Sequence, residues 1–161
     1  MFKTNYEKFN EWCIDFAERF IKDICNFLCL KTIPYISIVN STIENQTNIY
    51  GVFMIDDVVY DGYIVEGNGI EKECGDGNLI QSIAISTINI YNDNSNIIKA
   101  KLAFIHTLVH EMTHYYQFVN GMYAIYTAPS YKKSRKERHA NNRASRYKKE
   151  RLIHITPFLF M

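Results

Sequence analysis

Apolar residues recur at helical spacing from the N-terminus. Tyr6, Phe9, Cys13, Phe16, Phe20, Ile24, Phe27 and Leu28 make one stripe, which predicts an amphipathic helix over residues 5–30. Pro34 lies just beyond its end. Shorter β-like runs follow at 35–39, 48–55 and 58–66, with Asp56-Asp57 as a tight turn between the last two. Residues 67–78 are rich in glycine and charge and predict a loop. Residues 79–91 alternate through Ile83 and Ile85 and, after a break, Ile88 and Ile90, which predicts a strand. A polar turn at 92–96 precedes a second helical pattern over about 98–120. There Leu102, Ile105, Val109, Met112 and Tyr116 recur, and Gly121 follows as a stop. A last helix is predicted over 132–152, with Ser134, Glu137, Ala140, Asn141, Ala144 and Tyr147 on one face. The order of elements predicts an α+β domain: an N-terminal helix, a small mixed sheet, and two later helices packed on one sheet face.

Composition narrows the class. The chain has 161 residues, no internal repeat and no linker-like segment, so one domain spanning 1–161 is expected. A hydrophobic content of 47% with 14% aromatics fits a folded chain rather than a disordered one. No apolar run approaches the length of a membrane span, so no membrane partner is expected. Acids at Glu7, Glu11, Asp15 and Glu18 exclude a signal peptide at the N-terminus. Cys13, Cys25, Cys29 and Cys74 show no CxxC pairing. Cys25 and Cys29 lie one turn apart on an apolar helix and are expected to be buried thiols, which points to a reducing, cytoplasmic location.

The chemistry is carried by His110-Glu111-Met112-Thr113-His114. Histidines at i and i+4 stand one above the other on a helix, so two imidazoles can bind one tetrahedral Zn²⁺. Glu111 flanks the first of them, where it can take the proton of a metal-activated water as general base. His106 adds a third histidine one turn earlier. A stripe from 106 to 114 spans about 12 Å, whereas Zn–N bonds are near 2 Å, so His106 is expected to pack or to support a ligand rather than to be one.

A zinc hydrolase uses three protein ligands and keeps one position open. Downstream candidates are Glu137, His139, Glu150 and His154. Glu137 shares a helical face with the small residues Ala140 and Ala144, which allow close approach to another helix. His139 lies about 200° round the helix from it, among arginines. Glu137 is therefore the expected third ligand. Asn141, one turn on, is placed to hydrogen-bond the free nitrogen of a ligating histidine.

HExxH followed by a helix with Glu-x-x-x-Asn resembles the zincin metallopeptidases, in the glutamate-ligand (gluzincin) arrangement. Asn141 stands where that group usually carries Asp. Residues 110–144, with Glu-x-x-Ala-Asn at 137–141, also resemble the small ImmA/IrrE-like metallopeptidases. The His-Glu-Met-Thr-His-Tyr-Tyr-Gln run is similar to SprT-like and phage-borne zincins. The likeness spans about 50 residues and none of the first 80. It implies a zincin-like fold, a protein or peptide substrate, and an edge strand beside the metal that binds substrate in extended form, here 83–91.

The expected function is thus zinc-dependent hydrolysis of peptide bonds, with His110, His114 and Glu137 holding Zn²⁺ and Glu111 as base. Tyr115, Tyr123, Tyr126, Tyr131 and His139 are open candidates for stabilising the oxyanion. A deformylase-like hydrolase with Cys74 as a ligand is a weaker alternative, because the glycine-rich surroundings of such a cysteine are missing. A third possibility is a DNA-associated or regulatory protein with a structural zinc. It is suggested by charge: ten of the 18 Lys and Arg fall between Lys132 and Arg151, in a chain of net charge +1.

Overall fold

The computed structural model describes residues 2–56, 62–65, 71–74, 77–122 and 130–161. For 55–56, 71–74, 77–80 and 130–134 it describes the main chain only. Helix α1 spans Asn5–Phe27 and is opened by a capping box. Thr4 Oγ1 accepts from Glu7 N–H, and the Glu7 carboxylate accepts from Thr4 N–H. Its C-terminus is a Schellman turn, with Leu30 N–H on the Cys25 carbonyl and Cys29 N–H on the Asn26 carbonyl. Cys29 takes the left-handed position usual for glycine, at φ 58°. The helix therefore ends at Phe27 rather than 30. Cys25 is buried, but the left-handed turn leaves Cys29 exposed, against expectation.

Five strands are described: β1 (Tyr35–Val39), β2 (Gly51–Asp56), β3 (Tyr63–Val65), β4 (Glu71–Cys74) and β5 (Gly77–Ser86). They form one mixed sheet in the order β2-β5-β1-β3. β1 and β5 are parallel, with Ile36 opposite Ile83 and Ile38 opposite Ile85; the other pairings are antiparallel. β4 makes a hairpin with the start of β5, where a loop over 67–78 was expected. Residues 57–61, 66–70 and 75–76 lie outside the described residues, among them the expected turn residue Asp57.

The expected strand over 83–91 is two elements. β5 stops at Ser86, whose hydroxyl accepts from Asn89 N–H and caps helix α2 (Thr87–Asp93). Apolar residues at 88 and 90 extend the alternation only on paper, because the cap redirects the chain. Residues 83–86 are also not an edge. They are paired with β1 on one side and, up to Ile85, with β2 on the other. Among the described residues the outer strands are β2 and β3, and β2 is the one beside the HExxH run.

Helix α3 (Ile97–Val119) carries the HExxH run. Asn96 Oδ1 caps it by accepting from the N–H groups of Ile98 and Lys99, and Gly121 ends it at φ +72°. It lies across the sheet face formed by Ile36, Ile38, Phe53, Val65, Ile83 and Ile85. Phe104, Ile105, Leu108, Val109, Met112 and Tyr115 are buried there together with the inner stripe of α1. Helix α4 (Ser130–Glu150) packs along α3 through Ala140 and Ala144, both with no exposed surface. Tyr147 is buried with them and donates to Asp23 of α1, and Asp23 also accepts from Arg151. A short helix α5 (Leu152–Leu159) follows, beyond the last helix that the sequence pattern predicts. No helix of the described residues is long and apolar enough to cross a membrane.

Candidate metal centre

α3 turns His106, His110 and His114 toward α4, which presents Glu137 and Asn141 in return. His110 Nε2 lies 3.1 Å from His114 Nε2. Glu137 Oε2 is 2.9 Å from His110 Nε2, and its Oε1 is 3.3 Å from His114 Nε2. Four donors at the corners of a tetrahedron with bonds of about 2.0 Å sit about 3.3 Å apart, so these spacings match one bound zinc. Glu111 is buried beside them, its Oε1 3.9 Å from His110 Nε2. His110, Glu111 and His114 are also the group among the described residues whose donor atoms lie within metal-binding reach of one another.

The outer nitrogens are spoken for. His110 Nδ1 donates to Asn141 Oδ1 at 2.8 Å, and His106 Nε2 reaches the same oxygen at 3.1 Å. His106 is therefore linked by hydrogen bonds to the cluster only through Asn141. His114 Nδ1 lies 2.9 Å from Gln117 Oε1. Gln117 in turn contacts the Lys136 carbonyl at 3.1 Å and His139 Nδ1 at 2.9 Å. Asn141 is thus placed where its spacing suggested. Gln117 was not singled out, although its position three residues after His114, on the same face, was a readable signal.

Burial pushes the Glu111 carboxyl up to about 7, with Glu137 adding to the rise and His110 and Lys136 opposing it. Glu137 is held well below the usual carboxylate range, first by hydrogen bonding from His110 and then from His114.

The other expected candidates are dispersed. His139 is half-buried and turned to Gln117 and Tyr116, not to Glu137's partners. Glu150 pairs with Arg146, and His154 is exposed on α5. Tyr115 is enclosed in the core with its hydroxyl on Thr32. Tyr123 and Tyr126 lie outside the described residues, as do the side chains of Tyr131 and Cys74.

A cleft of about 540 Å³ opens over the cluster. It is walled by α3 and α4 on one side and by residues 48–53 on the other, and Lys136 lines it. Gly51 makes the approach of β2 to α3 possible: a Cβ there would lie 2.6 Å from Thr107 Cγ2 and 3.1 Å from Glu111 Cγ. Ser86 N–H donates to the Tyr50 carbonyl, so in the β2–β5 register residues 50, 52 and 54 bond inward. Gly51 and Phe53 turn their main-chain groups to the open edge. A larger groove of about 900 Å³ runs between α1, α2 and the last residues of α5. It is mostly apolar, and its Lys101 is pinned to the carbonyls of Leu159 and Met161. No histidine lines that groove.

Among the described residues the basic run is divided between several environments. Arg151 is engaged with Asp23, Arg146 with Glu150, Arg143 leans on His139, and Lys136 is buried in the cleft. Arg135, Arg138, Arg146 and Lys149 are exposed on the outer side of α4. No protein-family model, curated protein or solved structure matches the chain.

Proposed function

We propose that the protein is a zinc-dependent metallopeptidase, with His110, His114 and Glu137 as ligands and Glu111 as general base. One observation carries the reading. With the Nδ1 protons of both histidines facing outward, two imidazole lone pairs and a carboxylate converge within 3.3 Å. Such a nest of lone pairs is repulsive unless a cation sits among them. When bound, zinc supplies Lewis acidity and an activated water.

The rest is done by the chain. Glu111 takes the proton of the attacking water and returns it to the leaving amine; burial suits its basicity to this exchange near neutral pH. An extended peptide pairs with the open edge of β2 through the main chain of Gly51 and Phe53, which holds the scissile bond over Glu111. Lys136, in the cleft wall and close enough for its charge to act on Glu111, supplies positive potential for the oxyanion.

Metal analysis of the purified protein should find one zinc per chain, absent from His110→Ala. Glu111→Gln should retain the zinc and lose cleavage of a peptide library by about 10²–10⁴-fold, because the amide keeps the shape and removes the base. Equal cleavage by wild type and Glu111→Gln would refute the assignment.

A further inference from the structure

We propose that Gln117 sets the tautomer of His114, and that it does so through the main chain of α4; this rests on the metal-site reading above. The chain of constraints begins at the Lys136 carbonyl, which only accepts hydrogen bonds. The Gln117 atom 3.1 Å from it is therefore the amide nitrogen. The same nitrogen lies 2.9 Å from His139 Nδ1. The Gln117 oxygen must then face His114 Nδ1, at 2.9 Å, and an amide oxygen also only accepts. The His114 proton is consequently on Nδ1, and Nε2 presents its lone pair to the cluster.

Gln117 has no exposed surface, so water does not substitute for any of these partners. Its own carbonyl is tied by Met122 N–H at 2.7 Å in the turn that ends α3. A free histidine prefers its proton on Nε2, the nitrogen needed here for the metal. Gln117 reverses that preference. Lys136 directly precedes Glu137, so one turn of α4 delivers the carboxylate ligand and orients the histidine opposite it. Gln117 is a positioning residue: it touches neither substrate nor metal.

The test has two parts. Nitrogen-15 spectra of the imidazoles in metal-stripped protein near pH 8, where an ordinary histidine is neutral, read the tautomer directly. Wild type should show His114 with its proton on Nδ1, and Gln117→Met should show it on Nε2. Zinc affinity by chelator competition should fall about 10–100-fold in Gln117→Met. It should stay within several-fold of wild type in Gln117→Glu, whose carboxylate still accepts from Nδ1. Both variants lose the donation to the Lys136 carbonyl, so a purely structural role would weaken them alike, and that result overturns the proposal. Unchanged affinity in Gln117→Met also overturns it. If Gln117→Met does not fold, the wild-type spectrum decides, because a proton on Nε2 of His114 is sufficient refutation. Wild type that binds no zinc would defeat the metallopeptidase reading while leaving the tautomer measurable.

Discussion

Gly51→Ala tests the contact that sets the cleft. The added methyl would meet Thr107 Cγ2 at 2.6 Å, Glu111 Cγ at 3.1 Å and the Ala84 carbonyl at 3.4 Å. Thr107 cannot turn aside freely, because its hydroxyl donates to the Ala103 carbonyl at 2.8 Å and holds the rotamer. Relief of about 1 Å must come from β2 lifting off α3 or from Glu111 moving. Overpacking of this kind costs about 1–3 kcal/mol. In a domain of this size that corresponds to a fall in Tm of about 2–12 °C. A displacement near 1 Å at the base is worth about 10²-fold in rate. Zinc content should not change, since His110, His114 and Glu137 are not among the atoms met. The assay is a thermal melt, a zinc determination and cleavage of a peptide library in parallel. A wild-type Tm and rate in Gly51→Ala would refute the close approach of β2 to α3.

Three further outcomes are expected. Glu137→Ala should weaken zinc strongly in a chelator titration and His139→Ala much less, because Glu137 faces both Nε2 atoms while His139 is held through Gln117; the reverse order would move the third ligand to His139. In metal-stripped protein, the raised Glu111 carboxyl contributes stability that is complete below about 4.5 and lost as pH rises toward about 7, so the stability of wild type relative to Glu111→Gln should drop by about 3 kcal/mol over that window; a constant difference in urea melts from pH 4.5 to 7 would contradict its burial as described. The outward residues Arg135, Arg138, Arg146 and Lys149 should support at most weak, salt-sensitive, sequence-independent DNA binding, and no mobility shift at tens of micromolar protein in low salt would remove nucleic acid as a partner.

Sequence alone determined those features whose cause is local. The period of apolar residues marks α1 and α3 because a helix must bury one stripe. The HExxH spacing puts two imidazoles on one face wherever the helix lies, and Ala140 with Ala144 marks the side of α4 that can come close. The α+β class follows from the order of these patterns. Edges and junctions depend on partners distant in the chain and were not legible. Residues 83–86 read as an edge strand, but pairing with both β1 and β2 makes them interior and leaves β2 on the rim. Ser86 ends that strand by capping α2, a choice between two local patterns that the alternation of Ile88 and Ile90 conceals. Gly51 and Gln117 are unremarkable in the one-dimensional pattern. The first matters because Thr107 and Glu111, on a helix distant in the chain, leave no room for a Cβ. The second matters because a carbonyl on α4, 19 residues on, allows its amide only one orientation. Helical period and ligand spacing are properties of short stretches of chain, whereas steric exclusion and hydrogen-bond orientation arise only when separate elements are brought into contact.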